Sequence, residues 1–344
     1  MTNIQQNHHD RQVARWLLFC AAVIFGMIVL GGMTRLTDSG LSMVEWKPLI
    51  GVVPSLSEQA WVETFEKYKQ FPEYQKINKG MSLDGFKSIF MYEYLHRVLG
   101  RLIGVIFLLP LLYFAMRGRI RQGLMPKLVV LFFMGGLQGL LGWYMVKSGL
   151  VNNPHVSQYR LTAHLGLAVA IYAYMVWLAF DLLFSCETSA AANRPYARCS
   201  LVLVTLVYLM ILSGGLVAGT RAGLAYSTWP LMGGSFIPAG LYTQTPFWLS
   251  ALEDITTIQF NHRIFAYVLF VLLNAFAVAV YRRSATGRGR LGAVLLVIAL
   301  LIQVTLGIST LLLHVPVALG TAHQGGAVAL LTAILFLSHV QLRQ

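Results

Sequence analysis

Eight apolar runs, each long enough to cross a lipid bilayer as a helix, constrain the fold of this chain more than any other feature. A membrane-spanning helix needs roughly 20 predominantly apolar residues. The runs lie near 15–34, 89–116, 126–146, 159–184, 199–219, 258–281, 291–313 and 319–340. Hydrophobic residues make up 57% of the 344-residue chain, more than a soluble domain could keep away from water. The sequence therefore predicts an all-α integral membrane protein with eight transmembrane helices.

The distribution of charge predicts the orientation of the chain in the membrane. The net charge of +13 does not indicate nucleic-acid binding, because the basic residues form short clusters between the apolar runs. The clusters on one side are Arg11 and Arg15, residues 117–127, residues 194–198, residues 282–290 and Arg343. The first loop on the other side, 35–88, has as many acidic as basic residues. By the positive-inside rule, both termini face the cytoplasm. The N-terminus resembles neither a cleaved signal nor a transit peptide, which favours a bacterial inner membrane.

An internal repeat divides the chain into two halves, because several short patterns recur in the same order. The matched pairs are Gly31-Gly32 with Gly214-Gly215, Thr34-Arg35 with Thr220-Arg221, Gly40-Leu41 with Gly223-Leu224, His96-Arg97 with His262-Arg263, Gln138 and Gly142 with Gln303 and Gly307, and Thr162-Ala163-His164 with Thr321-Ala322-His323. The repeat predicts two tandem, similarly oriented four-helix bundles, 1–184 and 199–344. Residues 185–198 would then form a cytoplasmic linker.

Four histidines of the repeat are the candidate metal ligands. His96, His164, His262 and His323 each lie in the first turns of an even-numbered helix, so all four imidazoles are expected at one depth near the outer surface. Two imidazoles at equal depth on facing helices are what axial ligation of one haem iron requires. Glycines at 135–136, 142 and 307 would leave room for a flat macrocycle. A single histidine at a helix end is more often a hydrogen-bonded interfacial residue, but four in a repeated pattern favour haem.

Four arginines near the outer helix ends are candidates for binding haem propionates. Arg97 and Arg263 follow their histidines directly, and Arg35 and Arg221 end the first helix of each half. Arginine offers a bidentate donor pair for carboxylates, although a basic side chain that reaches the membrane interface would give the same pattern. His155 and His314 each lie nine residues before a candidate ligand, in outer loops where a solvated histidine is the simpler interpretation.

The two halves differ at one informative position. Glu93 lies three residues before His96 and shares its helix face, whereas the matching residue before His262 is Gln259, which cannot ionise. An acidic side chain at the edge of the apolar zone is a candidate for function. The alternative is a structural carboxylate that pairs with Arg97. If the asymmetry has a chemical purpose, the first half carries out the reaction and the second transfers electrons.

These motifs resemble those of the haem A synthase family over nearly the whole chain: eight helices, an internal repeat, Glu93-x-x-His96-Arg97, and histidines at 164, 262 and 323. The resemblance implies that His262 and His323 bind a haem b cofactor, that His96 and His164 flank the haem O substrate, and that Glu93 is essential. It also implies oxidation of a ring methyl of haem O, through hydroxylated stages, to the formyl group of haem A for terminal oxidases. The loop 35–88 contains no cysteine, so the chain resembles the branch that lacks a cysteine pair there.

Two other functions fit part of this pattern. A di-haem electron carrier would use both histidine pairs but leaves the Glu93/Gln259 difference unexplained. A transporter is disfavoured, because the repeat is parallel and shows no charged midplane pathway. Partners compatible with the enzyme are a haem O synthase that passes on the substrate, an electron donor of unidentified kind, and further copies of the chain in a homo-oligomer.

Overall fold

A computed structural model of the protein describes residues 3–44, 57–149, 156–184, 194–284 and 286–343. The helices are α1 (Asn3–Leu36), α2 (Glu58–Lys69), α3 (Pro72–Lys76), α4 (Leu83–Met116), α5 (Met125–Gly149), α6 (Gln158–Leu183), α7 (Arg194–Thr220), α8 (Ser250–Glu253), α9 (Ile255–Arg283), α10 (Gly287–Leu312) and α11 (Val317–Arg343). Within these ranges the protein forms no β-strand, so the predicted all-α class is confirmed.

The eight predicted membrane spans are confirmed in the described part of the chain. Eight helices are long and apolar enough to cross a bilayer: α1, α4, α5, α6, α7, α9, α10 and α11. Pro110 lies inside α4, which continues past it to Met116. Since α7 begins at Arg194, the last residues of the predicted linker are helical.

The helices of each half contact one another in sequence and close into a ring. In the first ring α1 packs on α4 and α6, and α5 packs on α6 while touching α4. In the second ring α7 packs on α9 and α11, and α10 packs on both of these. The rings meet where α1 contacts α11 and where α6 contacts α7 and α11. The four helices α1, α6, α7 and α11 are therefore central, and the other four are peripheral.

Burial follows this arrangement. The most extensive buried faces belong to α6 and α11, whose aliphatic side chains such as Val169, Leu178 and Leu331 are almost fully enclosed. The peripheral helix α5 instead exposes large apolar side chains, among them Phe133 at 70% and Leu140 at 64%. Exposed apolar side chains on a spanning helix are compatible with a lipid environment, where burial brings no hydrophobic gain. The central helices α6 and α11 are thus the most deeply buried of the spanning helices.

The loop after α1 carries a small aromatic cluster on the N-terminal end of α4. Tyr68 of α2 stacks on the fully buried Phe86 of α4, and Trp61 meets Phe90 edge to face. Glu73 of α3 is buried beside this cluster and accepts a hydrogen bond from the Tyr68 hydroxyl at 3.1 Å. Burial, together with the nearby charges of Glu93 and Asp38, raises the pKa of the Glu73 carboxyl to about 8. The loop therefore lies close to the outer end of the first ring.

Candidate functional site

Each of the four predicted histidines lies against a glycine of a neighbouring helix. A Cβ atom added to the glycine would stand close to Cε1 of the imidazole: 3.1 Å for Gly31 and His96, 3.0 Å for Gly142 and His164, 3.4 Å for Gly214 and His262, and 2.7 Å for Gly307 and His323. At Gly31, Gly142 and Gly307 any larger residue would have to displace the ring, whereas at Gly214 an added Cβ would make an ordinary van der Waals contact. The repeat matches Gly31 with Gly214 and Gly142 with Gly307, so the same glycine–imidazole contact occurs four times. We call each of these glycines the seat of its histidine.

The histidines are grouped in pairs, one pair in each ring. His96 interacts electrostatically with His164, and His262 with His323. The Nδ1 atoms of His96, His164 and His323 are buried and have no hydrogen-bond partner among the described residues. A buried nitrogen without a hydrogen-bond partner destabilises the fold unless a ligand or a further polar group binds to it. Each pair therefore has the composition of a two-histidine ligand site, and in the first ring the Gln138 amide also lies 3.4 Å from Nε2 of His164.

His262 is the exception, because its Nδ1 lies 3.0 Å from the Ser213 hydroxyl. This hydrogen bond fixes the ring and leaves Nε2 as the free nitrogen. The residue that matches Ser213 in the first half is Leu30, since each directly precedes its seat glycine. Leucine cannot hydrogen-bond, so the first ring lacks the group that orients this histidine.

Glu93 is buried, at 3% exposure, and accepts three hydrogen bonds. Its donors are the Ser42 hydroxyl at 2.7 Å, the Met43 amide at 2.7 Å and the Arg97 guanidinium at 2.5 Å. Arg97 also donates to the Met43 carbonyl at 2.9 Å. Together Glu93 and Arg97 hold the chain that follows α1 against the outer part of α4. The pairing that the sequence offered as the structural alternative is thus present, one turn from His96.

The second ring builds the same attachment without a carboxylate at this position. Gln259 donates to the Tyr226 carbonyl at 3.1 Å, and Arg263 donates to it at 2.7 Å. Arg263 also donates to the Thr228 carbonyl at 2.8 Å. Tyr226 matches Met43 in the repeat, because both lie three residues after the first glycine of a Gly-Leu pair. The two attachments differ in charge: Glu93 partly neutralises Arg97, whereas Arg263 meets only carbonyl dipoles among these contacts.

The two remaining arginines, Arg35 and Arg221, lie where the two rings meet, at the C-terminal ends of α1 and α7. Asp38 accepts from Arg221 at 2.6 Å and from Arg35 at 3.4 Å, and Arg35 also donates to the Ala218 carbonyl at 3.0 Å. Asp38 and Arg221 both have a positive φ, so the shared ion pair depends on two left-handed turns. All four predicted arginines have protein partners. Buried donors remain at Nε of Arg35 and of Arg263, which have no partner in the described part of the chain.

The other histidines are dispersed. His314 is exposed in the turn after α10, as expected for a solvated residue, and His155 lies outside the described residues. Sequence reasoning missed His339, which is 1% exposed and lies 3.0 Å from Asp181. Arg343 donates to the same Asp181 oxygen at 2.6 Å, so this cluster joins α6 to α11. An acidic residue within the apolar run 159–184 was the available signal.

The fold and these sites together define a multi-span helical membrane protein with a repeated four-helix ring and one histidine pair in each ring. More specifically, the chain belongs to the COX15-CtaA family of cytochrome oxidase assembly proteins, whose model matches residues 14–335.

Curated relatives cover nearly the whole chain. The protein named heme A synthase of Nitrosospira multiformis is 53% identical over 337 residues, 97% of this chain and 95% of the relative. Proteins of the same name from Nitrosomonas eutropha and Parvibaculum lavamentivorans are 49% and 46% identical, covering 96% and 93% of this chain and 93% and 91% of the relatives. The resemblance found from the motifs is thereby confirmed.

Proposed function

We propose that this protein is a haem A synthase, a membrane oxidoreductase that converts a ring methyl of haem O to the formyl group of haem A for terminal oxidases. Its family and the name of its relatives support this function over nearly the full length of the chain. The conversion passes through hydroxylated stages and ends with loss of water from a gem-diol. The observation that carries the proposal is the pair of glycine-seated histidines in each ring.

The two pairs divide the work in this proposal. His262 and His323 hold a haem b cofactor, which would supply or accept electrons when bound, and His96 and His164 flank the haem O substrate. The chain's residues fit a planar group at both places, since backbone without side chains faces each imidazole. The Ser213 hydroxyl that orients His262 favours a permanently bound cofactor in the second ring. Arg35 and Arg263, each with a buried donor to spare, are the best candidates for propionate partners.

Glu93 contributes a fixed negative charge to the substrate site. Its three donors hold the carboxylate one turn from His96, and a preorganised charge stabilises positive charge that develops on a reacting carbon. Because the same contacts fasten the loop after α1, Glu93 also shapes the outer wall of the site. Both contributions are confined to the first ring, since Gln259 occupies the matching position.

The membrane orientation is part of the proposal. We place the protein in a bacterial inner membrane with both termini in the cytoplasm and both histidine pairs near the outer face. Reporter fusions within 118–122 and 284–289 should then report a cytoplasmic location, and fusions within 60–75 and 235–245 an external one. An inverted pattern would put the histidines at the inner surface.

Expression in a host that makes haem O but lacks haem A tests the function directly. Extracted haems, separated by chromatography, should include haem A only when the protein is present. A His96→Ala variant expressed to the same level is the control, and its extract should contain haem O without haem A. Recovery of unmodified haems alone from the wild-type cells would make the protein a di-haem electron carrier instead.

A further inference from the structure

The first ring contains a glycine-lined gap that the second ring fills with side chains. On α4, Gly100 and Gly104 follow His96 at one and two turns. On α5, Gly135 and Gly139 share a helix face with Gly142, the seat of His164. Among the described residues, no atom lies within 4 Å of an added Cβ at Gly104, Gly135 or Gly139. Gly100 meets only the terminal methyl of Met27, at 3.3 Å.

The glycines of the two helices lie at matching depths. At a rise of about 1.5 Å per residue, Gly100 and Gly104 lie about 6 and 12 Å from His96 towards the bilayer centre. Gly139 and Gly135 lie about 5 and 11 Å from Gly142 in the same direction. The gap thus begins beside the histidine pair and continues for about two turns. At these four glycines the walls carry no side chain, and the Gln138 amide lies 3.4 Å from His164 Nε2 at the histidine end of the gap.

The repeat supplies an internal comparison for this gap. The matching residues of the second ring are Ala266 and Phe270 on α9, and Leu300 and Val304 on α10. Leu300 is 3% exposed and Val304 packs against the main core, so the α10 side of the corresponding space is occupied, whereas Phe270 on α9 is 36% exposed. The packing of the helices differs in the same way, because α9 and α10 are in extensive contact whereas α4 and α5 make few contacts. The opening in the first ring is therefore a local feature and does not follow from the repeated fold.

Paired small residues can also mark a face on which two copies of a helix associate. The direction of these glycines argues against that use. Gly100 faces Met27 of the central helix α1, and Gly139 lies on the face that meets His164, so both stripes point into the ring. Large apolar side chains such as Leu140 occupy the outward face of α5. The unpartnered Nδ1 atoms of His96 and His164 at the upper end independently indicate a ligand at this place.

We propose that this gap between α4 and α5 binds the isoprenoid tail of haem O, and that the filled second ring thereby accepts only a haem without a tail. The proposal rests on the assignment of the first histidine pair to the substrate. Haem O carries a long hydroxyethylfarnesyl chain that haem b lacks, and the tail needs an apolar channel that starts at the macrocycle. Because α4 and α5 are barely in contact, the channel opens sideways to the membrane, where the substrate is dissolved.

Filling the channel with the residues of the second ring tests the proposal. The purified full-length protein is titrated with haem O and, separately, with haem b, and binding at the first pair is followed by difference absorption. Wild type should bind haem O more tightly than haem b. The variant Gly135→Leu/Gly139→Val should bind haem O about tenfold more weakly or worse, because the added side chains overpack the tail, with haem b affinity little changed.

The control variant is Gly136→Leu, which copies Leu301 of the second ring. Gly136 is exposed as Gly135 and Gly139 are, but it lies about 100° from Gly135 around the helix, away from the face of Gly142. It should bind haem O as wild type does. Retention of the second-ring haem absorption reports correct folding in every variant. Should the double variant fail that check, Gly139→Ala takes its place, with a smaller loss that is again confined to haem O.

Three results would overturn the channel: equal wild-type affinity for both haems, unchanged haem O binding in the correctly folded variants, or an equal loss in Gly136→Leu. A change of oligomeric state in the variants with haem O binding intact would assign the glycines to contacts between copies. The proposed function is judged separately, by haem A production in the wild-type cells. A wild type that makes haem A while the channel variants bind haem O normally refutes the channel alone.

Discussion

The second ring surrounds its histidine pair with fixed side chains, whereas the first ring leaves its pair less restrained. Ser213 orients His262, but Leu30 offers His96 nothing comparable. The space that Leu300 and Val304 fill in the second ring is open in the first. The seats themselves are the same in both. Both halves thus keep the same histidine–glycine contacts, and the neighbouring residues differ in the way that the proposed function requires, with a resident group in the second ring and an exchanging one in the first.

Removal of a histidine should give the largest effect and is the most direct way to break this comparison. We expect His262→Ala or His323→Ala to remove most of the haem that stays with the purified protein, because each deletes a ligand of the fixed site. His96→Ala should spare much of it. The haem-to-protein ratio and the low-spin absorption bands measure the outcome. Equal losses from all three histidine variants would mean that the rings are equivalent.

Substitution of Glu93 tests whether the charge difference between the rings matters. Glu93→Gln copies the residue found at 259 and should lower haem A formation about 10²–10⁴-fold, with haem O or a partly oxidised haem accumulating. Haem in the second ring should be retained. Chromatography of extracted haems gives the measurement.

The variant Ser42→Ala is the companion to this experiment, since it removes one hydrogen bond to Glu93 and leaves the charge in place. We expect a much smaller loss of activity. If Ser42→Ala is as inactive as Glu93→Gln, the carboxylate acts by fastening the loop. Near wild-type activity of Glu93→Gln would assign it to the attachment alone.

The hydrogen bond from Ser213 to His262 should have an intermediate effect. Ser213→Ala removes the group that orients this ring, and we expect about 10–100-fold weaker haem retention. Dilution of the purified protein, followed by the rate of haem loss to an excess of apomyoglobin, measures this change. The reciprocal variant Leu30→Ser places a hydroxyl beside His96 and should make the first ring hold haem longer. No change in either variant would remove this hydrogen bond from the explanation of the difference.

The smallest effect concerns residues 57–82, which contain α2 and α3 and pack on the end of α4; we call this segment the cap. Burial raises the pKa of Glu73 to about 8. A raised pKa in the folded state stabilises the cap below the ordinary carboxyl range, and this stabilisation is lost as the pH rises through about 8. Proteolysis within 57–82 should therefore accelerate more between pH 6 and 9 in wild type than in Glu73→Gln. Identical pH profiles would show that Glu73 does not titrate with the cap.

The fold was predictable because the bilayer imposes a length and a hydropathy on every spanning helix. The runs beginning near 89 and 258 needed no tertiary information, and the repeat placed His96 and His262 in register. Partners distant in sequence were not predictable. Asp38 meets Arg221 across 183 residues through two left-handed turns, and Met43 meets Glu93 across 50. Such contacts depend on how the helices pack, and hydropathy does not encode this.

The glycines show the same division. Gly142 and Gly307 were noticed in the sequence as room for a macrocycle, and each does lie against a histidine. Gly31 and Gly214 were recognised only as repeat markers, although they form the other two seats. A glycine in a membrane helix has several uses, and only its neighbour in space distinguishes a close helix contact from a seat for a side chain.

The contact between α6 and α11 has a mechanical consequence. These helices carry His164 and His323, they touch each other, and the Asp181–His339–Arg343 cluster joins their C-terminal ends. They form a common spine from which each site takes one of its two ligands. If both pairs bind haem as proposed, the spine sets the distance between the two irons, on which the rate of electron tunnelling depends steeply. The gap between the peripheral helices α4 and α5 lies outside this spine, so a bulky group bound there leaves that spacing unchanged.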